Sequence, residues 1–396
     1  MHPIIYNDMA IQKKKKKSHF SLKKLIIIPL FLVNCIAALG LFVAFLAQFI
    51  PPTLFSFSAF CGLGFIYILA MNAIFVVLWL PLKFPYTLIS LSLILLNVGN
   101  IDKHFQLKGA EKPQACVNCI KVMSYNVKLF GLYDTEDKKL RQKKKNEILH
   151  FIHQEQPEIV CFQEYFYDKS GKLNFNTTDT LLSILKLKNK NYHFEYYTAT
   201  RDEYYYGFAT FSKNKIVGKG IVEMPDSSVI ATYIEFKHKS DTLRVYNCHL
   251  ASVHFENEDY EIGKQLMINP MNDPKWEKKA KILYKKLDIA FDIRRMQVKT
   301  LKQHIKHCPH YIIVCGDLND SPASFAYNKV AHNLKDSFRE SGIGMGRTYL
   351  GETFPKFRID YILHDKAYKS YGHTVHSNIS VSDHYPVSTW ISLFRD

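Results

Sequence analysis

Apolar residues are concentrated near the N-terminus of this chain. Three mainly apolar, charge-free runs cover residues 25–50, 57–80 and 86–101, and prolines at positions 51, 52, 81 and 85 mark the breaks between them. A helix needs ~20 apolar residues to cross the core of a bilayer. The first two runs therefore predict membrane-spanning helices. The third run lies near the lower limit, and a helix in a soluble core is its alternative interpretation.

Lysines predict the orientation of these helices. Seven lysines, at positions 13–17, 23 and 24, precede the first run, and Lys83 lies in the turn between the second run and the third. Cytoplasmic loops of membrane proteins carry an excess of basic residues, so the N-terminus and Lys83 are expected in the cytoplasm. Three crossings would place the rest of the chain outside the cytoplasmic membrane, whereas two would leave it inside. We expect three crossings, a multi-pass protein of the cell membrane and an extracytoplasmic domain.

Beyond residue 116 the pattern changes to alternating strands and helices. Alternating or continuous short apolar runs predict strands, and apolar positions at helical spacing predict amphipathic helices. The expected strands lie at residues 122–127, 157–164, 208–212, 216–223, 229–237, 242–250, 311–315, 358–363 and from 383 onward. The expected helices lie at residues 138–152 and 276–307, a loop and helix at 168–194, and a surface loop at 254–275.

This pattern divides the chain into four parts. We expect a basic cytoplasmic tail at residues 1–24, a transmembrane anchor of two to three helices at 25–101, a linker at 102–116 and an α/β domain at 117–396. The whole chain of 396 residues has a net charge of +16, and half of this charge falls within the first 112 residues. The α/β domain is therefore only moderately basic, which fits an anionic substrate but does not require one.

Polar residues suited to phosphate-ester hydrolysis occur at or near the ends of the predicted strands. Carboxylate and amide oxygens bind hard divalent cations, such a cation neutralises charge that develops on phosphoryl oxygens, and a histidine beside an acid can move a proton. The candidates are Asn126, Glu164, His249, Asp317, Asn319, Asp360, Asp383 and His384. The sequence contains no serine nucleophile motif, Walker loop or His-Glu-x-x-His motif.

Six motifs in order resemble the endonuclease/exonuclease/phosphatase superfamily, which has the deoxyribonuclease-I-like fold. They are residues 123–126 (MSYN), 162–164 (FQE), 247–250 (NCHL), 316–319 (GDLN), 358–361 (RIDY) and 382–386 (SDHYP). The resemblance covers roughly residues 117–396. It implies a four-layer α/β sandwich of two packed, mostly antiparallel sheets with helices outside, preceded here by an all-helical transmembrane anchor.

The resemblance also implies a role for each candidate residue. Glu164 would be the main ligand of Mg²⁺, with Mn²⁺ or Ca²⁺ as alternatives, and Asn126 and Asp383 would lie beside the metal. Asp360 would orient His384. Asp317 and Asn319 would position the attacking water and the phosphate, and His249 would contact the phosphate or assist the leaving group. Either Asp317 or His384 would take the proton of the water.

These features predict a membrane-anchored, metal-dependent phosphodiesterase. Its substrate would be a nucleic acid or a phospholipid head group, its N-terminal helices would contact the bilayer, and no protein partner is inferred. Some deoxyribonucleases carry an acid where this chain has Tyr206-Gly207, and the residues that follow look more like sphingomyelinase-type phosphodiesterases. A non-catalytic membrane-bound binding protein on the same fold is one alternative. A nuclease held at the cytoplasmic face is another.

Two further features allow more than one interpretation. Cys116 and Cys119 could form a small disulfide, remain free thiols or, with less support, bind zinc. The basic helix at residues 138–152 has either a solvated outer face or a nucleic-acid-binding patch. In contrast, Cys161, Cys248 and Cys315 fall inside predicted strands, where we expect them to be small core residues.

Overall fold

A computed structural model describes residues 22–111, 116, 118–187, 191–200, 203–253, 276–351 and 357–393. The lysines at positions 13–17 and the predicted surface loop at 254–275 lie outside the described residues. A helical region comes first in the chain, and an α/β domain follows. Cys116 and Cys119 form a disulfide at the start of the first strand, whose first residue is Cys119.

The helical region contains five helices. They are α1 Leu22–Leu46, α2 Ser56–Leu63, α3 Phe65–Leu82, α4 Phe84–Leu96 and α5 Val98–His104. Within the described residues, α1 and α3 are long and apolar enough to cross a membrane, and α4 with α5 would make a third crossing if this pair, bent by 60°, forms one span. The second apolar run, residues 57–80, is divided between α2 and α3, and α3 is the part that is long and apolar enough to span. Gly62 and Gly64 weaken the helix there, and α2 turns away to pack against the α/β domain.

The pair α4–α5 follows α1 along its length. Ring contacts and hydrogen bonds join them in register at four levels: Phe31–Tyr86, Asn34–Ser90, Leu41–Asn97 and Gln48–Lys103. Ser90 also donates to Asn72 of α3 at 2.9 Å. Buried polar groups of this kind hold apolar helices together, while the outward-facing side chains of the same helices are large and apolar.

Two six-stranded mixed sheets form the centre of the α/β domain. The first has the order β11-β12-β1-β2-β4-β3 and the second the order β5-β6-β7-β8-β10-β9. The strands are β1 Cys119–Asn126, β2 Ile159–Asp168, β3 Tyr192–Thr200, β4 Tyr204–Ser212, β5 Ile216–Glu223, β6 Val229–His238, β7 Asp241–His249, β8 Tyr311–Asp317, β9 Leu334–Asp336, β10 Asp360–Asp365, β11 Lys369–Val375 and β12 Val387–Ser392. Only β1–β2 and β7–β8 are parallel among the pairs of these strands.

Helices cover the outer face of each sheet and complete the four layers. They are α6 Lys138–Glu155, α7 Thr177–Ile184, α8 Trp276–Lys306, α9 Phe325–Ala331 and α10 Ser337–Ser341. Helices α6 and α7 pack on the first sheet, and α8 and α9 on the second. A third apolar cluster fills the space between the sheets and contains Cys161 and Cys315, while Cys248 is buried under α8. The predicted four-layer sandwich and the antiparallel meander β5–β7 are confirmed.

The main departure in this domain is β3. The sequence predicted a loop and a helix at residues 168–194, and α7 accounts for the helix, but β3 begins at Tyr192 and forms the edge of the first sheet. Tyr192, Phe194 and Tyr196 alternate with His193 and Glu195, which is the pattern of a strand covered on one face only and was the signal available for β3.

Candidate active site

The central parallel strand pair of each sheet brings candidate residues to one end of the sandwich. Asn126 ends β1, His249 ends β7 and Asp317 ends β8. In the registers of the second sheet, Asp317 lies opposite both His249 and the first residue of β10, Asp360. Because carboxyl ends of parallel strands lie at the same edge of a sheet, residues far apart in sequence are placed side by side here.

Glu164 reaches the same place through a bulge in β2. The pairing of β2 with β4 shifts register between Phe162 and Tyr165, and Glu164 has a positive φ of 47°. Such a bulge redirects a side chain that regular pleating would point elsewhere. Asn126 Nδ2 donates to Glu164 Oε1 at 3.0 Å, and 31% of the Glu164 side chain remains exposed. Glu164 therefore presents its carboxylate to solvent at the mouth of the site.

Four of these side chains form a closed ring of contacts. Asn126 Nδ2 lies 3.0 Å from Glu164 Oε1 and 3.3 Å from Asp317 Oδ2. His249 Nε2 lies 3.7 Å from Glu164 Oε1 and 3.8 Å from Asp317 Oδ2. His249 Nε2 is buried and has no hydrogen-bond partner among the residues that the structure describes. An unpaired buried donor or acceptor is costly, so this atom indicates a position where a bound ligand would supply the partner.

The pair Asp360–His384 extends this ring. His384 Nδ1 lies 2.9 Å from Asp360 Oδ2, and His384 Nε2 lies 3.6 Å from Asp317 Oδ2. Burial by itself lowers the pKa of His384, but the carboxylates of Asp360 and Asp317 outweigh burial and raise this pKa to about 10. Burial also raises the pKa of Asp317 to about 6, against the opposing effect of His384. The imidazole is thus held between two carboxylates.

Backbone geometry fixes Asp317 and Asn319. A Cβ at Gly316 would lie 2.0 Å from the carbonyl oxygen of Cys248, so only glycine fits there. After it, the backbone N–H of Asn319 donates to Asp317 Oδ1 at 2.7 Å, and Asn319 Nδ2 donates to the carbonyl of Leu250 at 2.9 Å. The expected turn after β8 therefore leaves Asp317 Oδ2 as the atom that faces the site.

Asp383 lies at the margin of the site. Its Oδ2 is 3.4 Å from Lys128 Nζ, and its side chain is 31% exposed. Ser382 connects this segment to β1, since Ser382 Oγ donates to the carbonyl of Asn126 at 2.8 Å. Seven of the eight candidate residues are joined by the contacts described above. Asp383 is the eighth, and its connection to them runs through the neighbouring Ser382. The metal role of Asp383 stays a prediction.

Sequence reasoning missed three residues that support the site. Lys128 pairs with Asp383. Thr348 Oγ1 accepts the backbone N–H groups of Ile359 and Asp360 at 3.0 and 3.1 Å. Asn247 lies in the quoted NCHL motif, and it is buried with its Nδ2 bonded to the first sheet. A polar residue at an inward position of an apolar strand was the available signal for Asn247, whereas no local pattern marks Lys128 or Thr348.

The donor set fits a hard divalent cation. Glu164 and Asp317 supply carboxylate oxygens, which Mg²⁺ and Ca²⁺ prefer, and Asn126 donates through Nδ2 to both carboxylates while its Oδ1 accepts the backbone N–H of Lys128. Asp317, Asp360 and His384 form a second possible grouping, with one ligand atom from each lying within 4.8 Å of the others. The orphaned His249 Nε2 beside Glu164 and Asp317 favours a ligand at the first grouping, where the Glu164 carboxylate is partly exposed.

A family comparison agrees with this geometry. The profile of the Endonuclease/Exonuclease/phosphatase family matches residues 123–384, which is about two thirds of the chain. The chain belongs to this family. Members typically hydrolyse phosphoester bonds and depend on divalent metals. The resemblance inferred from the six motifs is therefore confirmed at the level of the family.

Other comparisons describe the remaining similarities. Residues 23–104 match a domain of unknown function, DUF8431. Similar solved structures include family proteins from Leptotrichia buccalis C-1013-b (17% identity, 69% of this chain and 99% of that chain, TM-score 0.46) and Bacteroides vulgatus (18%, 69% and 99%, TM-score 0.47). The human Nocturnin catalytic domain with bound sulfate anion is another (20%, 69% and 93%, TM-score 0.45). No curated protein matches the chain.

Proposed function

We propose that this protein is a membrane-anchored, Mg²⁺-dependent phosphodiesterase whose catalytic domain, residues 117–396, faces the extracytoplasmic side. Mn²⁺ and Ca²⁺ are alternative ions for the same oxygen ligands. The observation that carries the proposal is the set of contacts joining Asn126, Glu164, His249 and Asp317 to the pair Asp360–His384.

In this proposal Glu164 would be the main ligand of the cation, with Asn126 beside it and Asp383 on the outer side. When bound, Mg²⁺ supplies neutralisation of the negative charge that develops on phosphoryl and leaving oxygens. The carboxylate of Asp317 lies 3.3 Å from Asn126. It therefore connects the residues proposed to lie beside the cation with those proposed to handle the proton. The orphaned His249 Nε2 would contact a phosphate oxygen or the leaving group.

The residues of the chain then position and deprotonate the attacking water. Asp360 engages His384 Nδ1, which leaves His384 Nε2 facing Asp317 Oδ2 at 3.6 Å. The backbone N–H of Asn319 engages Asp317 Oδ1, which leaves Oδ2 to face Asn126, His249 and His384. Because the pKa of His384 is raised to about 10, its imidazole carries its proton near neutral pH, so Asp317 takes the proton of the water and His384 orients the Asp317 carboxylate.

The packing of α4–α5 supports three membrane crossings. The pair contacts α1 from Phe31 to Gln48, a length comparable with the crossing helix itself. The buried bonds that join Asn34, Ser90 and Asn72 tie α4 to both α1 and α3. Helix α4 thus shares polar contacts with two helices that are expected to span the membrane, and its outer face carries large apolar side chains. Both features suit a helix that lies in the bilayer beside α1 and α3.

The position of the α/β domain supports an extracytoplasmic orientation. This domain contacts α2, which follows the C-terminal end of α1, and α5, which follows α4. Both contacts lie at the end of the helical region opposite the start of α1 and Lys83, where basic residues favour the cytoplasm. The disulfide Cys116–Cys119 also suits an oxidising compartment.

A substrate panel tests the proposed function. The purified full-length chain, in detergent or in lipid nanodiscs, would be assayed against DNA, RNA, phospholipids, a soluble aryl phosphodiester and an aryl phosphomonoester, with Mg²⁺ or with EDTA. We expect hydrolysis of at least one phosphodiester that EDTA abolishes and added Mg²⁺ restores. Hydrolysis of none of them, or hydrolysis unaffected by EDTA, would contradict the proposal.

A further inference from the structure

The helical region contacts the loop that follows Asn319. Ser321 Oγ donates to the carbonyl oxygen of Gly62 in α2 at 3.0 Å. Two residues further along, Ala323 is fully buried in an apolar cluster whose other members belong to the helical region, including Leu41 of α1 and Phe65 of α3. The loop that carries Asn319 thus packs against three helices of the anchor.

A second contact involves the segment that precedes Asp360. Arg358 is buried, forms an ion pair with Asp336 at 2.8 Å and donates through Nη2 to the carbonyl oxygen of Lys103 in α5 at 2.9 Å. Lys103 in turn donates through Nζ to Asn328 of α9 at 2.6 Å. Helix α5 is therefore bonded to the catalytic domain from both its backbone and its side chain.

These two contacts lie next to the catalytic residues and are joined to each other. Ser321 is two residues after Asn319, and Arg358 is two residues before Asp360. The hydroxyl of Tyr361 lies 2.8 Å from the carbonyl oxygen of Asp320 and 2.8 Å from that of Arg358, so it connects the two segments. A displacement of α2 or α5 would be transmitted to the ends of β8 and β10.

We propose that the helical region is a positioning element of the catalytic site, and that Arg358 and Gly62 are its positioning residues. Helix α2 holds the loop after Asn319, and α5 holds Arg358, so docking of the anchor sets the mutual placement of Asp317 and the pair Asp360–His384. Catalysis is sensitive to such placement, because a 1 Å displacement can cost about 10²-fold in rate. The kinetic test of this inference rests on the proposed function. The hydrogen-exchange test does not, because it measures local opening and not activity.

A matched pair of glycine variants tests the contribution of α2. A Cβ at Gly62 would lie 2.9 Å from Ala47 Cβ and 3.3 Å from the carbonyl oxygen of Ala323, whereas a Cβ at Gly99 of α5 meets nothing within 4 Å. In the full-length chain, Gly62→Leu should lower kcat for a soluble phosphodiester about tenfold or more with KM unchanged, and Gly99→Leu should leave both unchanged. Equal kcat values in the two variants would overturn the proposal.

Variants of two arginines test the contribution of α5. Arg358→Met should lower kcat without raising KM, and Arg358→Lys should restore part of the loss because it keeps a cation beside Asp336. Arg339 is the control, since it contacts Asp102 of the same helix at an exposed position, and Arg339→Met should leave kcat unchanged. If Arg358 only stabilises the fold, Arg358→Met should lower the melting temperature and the fraction of active protein but leave kcat per folded molecule at the wild-type value. That result would overturn the positioning role of Arg358.

Hydrogen exchange supplies a readout that does not depend on activity. Local opening raises amide exchange, so Gly62→Leu should accelerate exchange in residues 317–324 and 357–361 relative to Gly99→Leu. If exchange there stays at the control rate, the positioning proposal is wrong. If the wild-type chain hydrolyses no phosphodiester while exchange rises as expected, the proposed function fails and the coupling of the anchor to these strand ends is upheld.

Discussion

His384 Nδ1 lies 2.9 Å from Asp360 Oδ2, and both side chains are buried between the ends of β10 and β12. The other ring nitrogen of His384 faces Asp317, which ends the strand paired with β10. An imidazole bonded to one carboxylate and facing a second has a fixed orientation. This relationship is the basis of the first prediction.

Asp360→Asn should lower kcat by about 10²- to 10⁴-fold, because an amide cannot hold the His384 ring as a carboxylate does. KM should change little, since Asp360 has no place in substrate contact. Asp365→Asn, at the opposite end of the same strand, is the control and should keep wild-type kcat. Steady-state kinetics of the folded full-length variants on a soluble phosphodiester give the comparison, and a kcat within twofold of wild type for Asp360→Asn would refute the orienting role.

Glu164→Gln should weaken metal binding and not merely slow catalysis. Its carboxylate is 31% exposed at the mouth of the site, and replacing it removes one negative charge from the oxygen donors that suit Mg²⁺. The Mg²⁺ concentration that gives half-maximal activity should rise at least ~10-fold, and the Mg²⁺-dependent increase in melting temperature should shrink. Glu147→Gln, on the exposed face of α6, should match wild type in both measurements. An unchanged Mg²⁺ requirement in Glu164→Gln would exclude Glu164 as a ligand.

Glu340 should contribute to stability in a pH-dependent way. Burial alone would raise the pKa of Glu340, but hydrogen bonds from His364 and Ser370 outweigh burial and lower this pKa to about 2. A carboxyl with a lowered folded-state pKa stabilises the fold above its unfolded-state pKa and loses this contribution as the pH falls. The wild-type chain should therefore lose stability between about pH 5 and pH 2, and Glu340→Gln should lose less over that interval. Parallel acid-unfolding curves for the two proteins would contradict this assignment.

The three-crossing topology predicts opposite behaviour at two fusion points. A reporter active only outside the cytoplasm should be active when fused at the C-terminus and inactive when fused after Lys83, and a reporter that matures only in the cytoplasm should show the reverse. This expectation follows from the alignment of α4–α5 with α1. Cytoplasmic behaviour at the C-terminal fusion would require two crossings and would place the enzyme inside the cell.

Much of the fold could be predicted from the sequence because local patterns determine it. The strands at residues 216–223 and 242–250 alternate regularly, and the long helix α8 repeats apolar residues at helical spacing. Asn126 and Asp317 were identifiable as site residues because each is a polar residue at the end of an apolar run. Their convergence followed from the resemblance of six motifs to one family, which no single motif could have supplied.

Other features depend on contacts between distant segments and have no local signal. The bulge that redirects Glu164 appears only when β2 pairs with β4. The bond from Arg358 to Lys103 joins residues 255 positions apart. In each case the partner, and not the sequence around the residue, determines the structure.

The central claim is that the assembled side chains hydrolyse a phosphodiester with the help of a divalent cation. The most direct measurement compares the wild-type full-length chain with His384→Ala on a soluble aryl phosphodiester, in Mg²⁺ and in EDTA, with folding of both proteins verified by their melting curves. We expect the wild-type chain to hydrolyse the diester in Mg²⁺ only, and we expect the rate of His384→Ala to be lower by at least ~10²-fold. Equal rates in the two proteins, or a wild-type rate unaffected by EDTA, would contradict it.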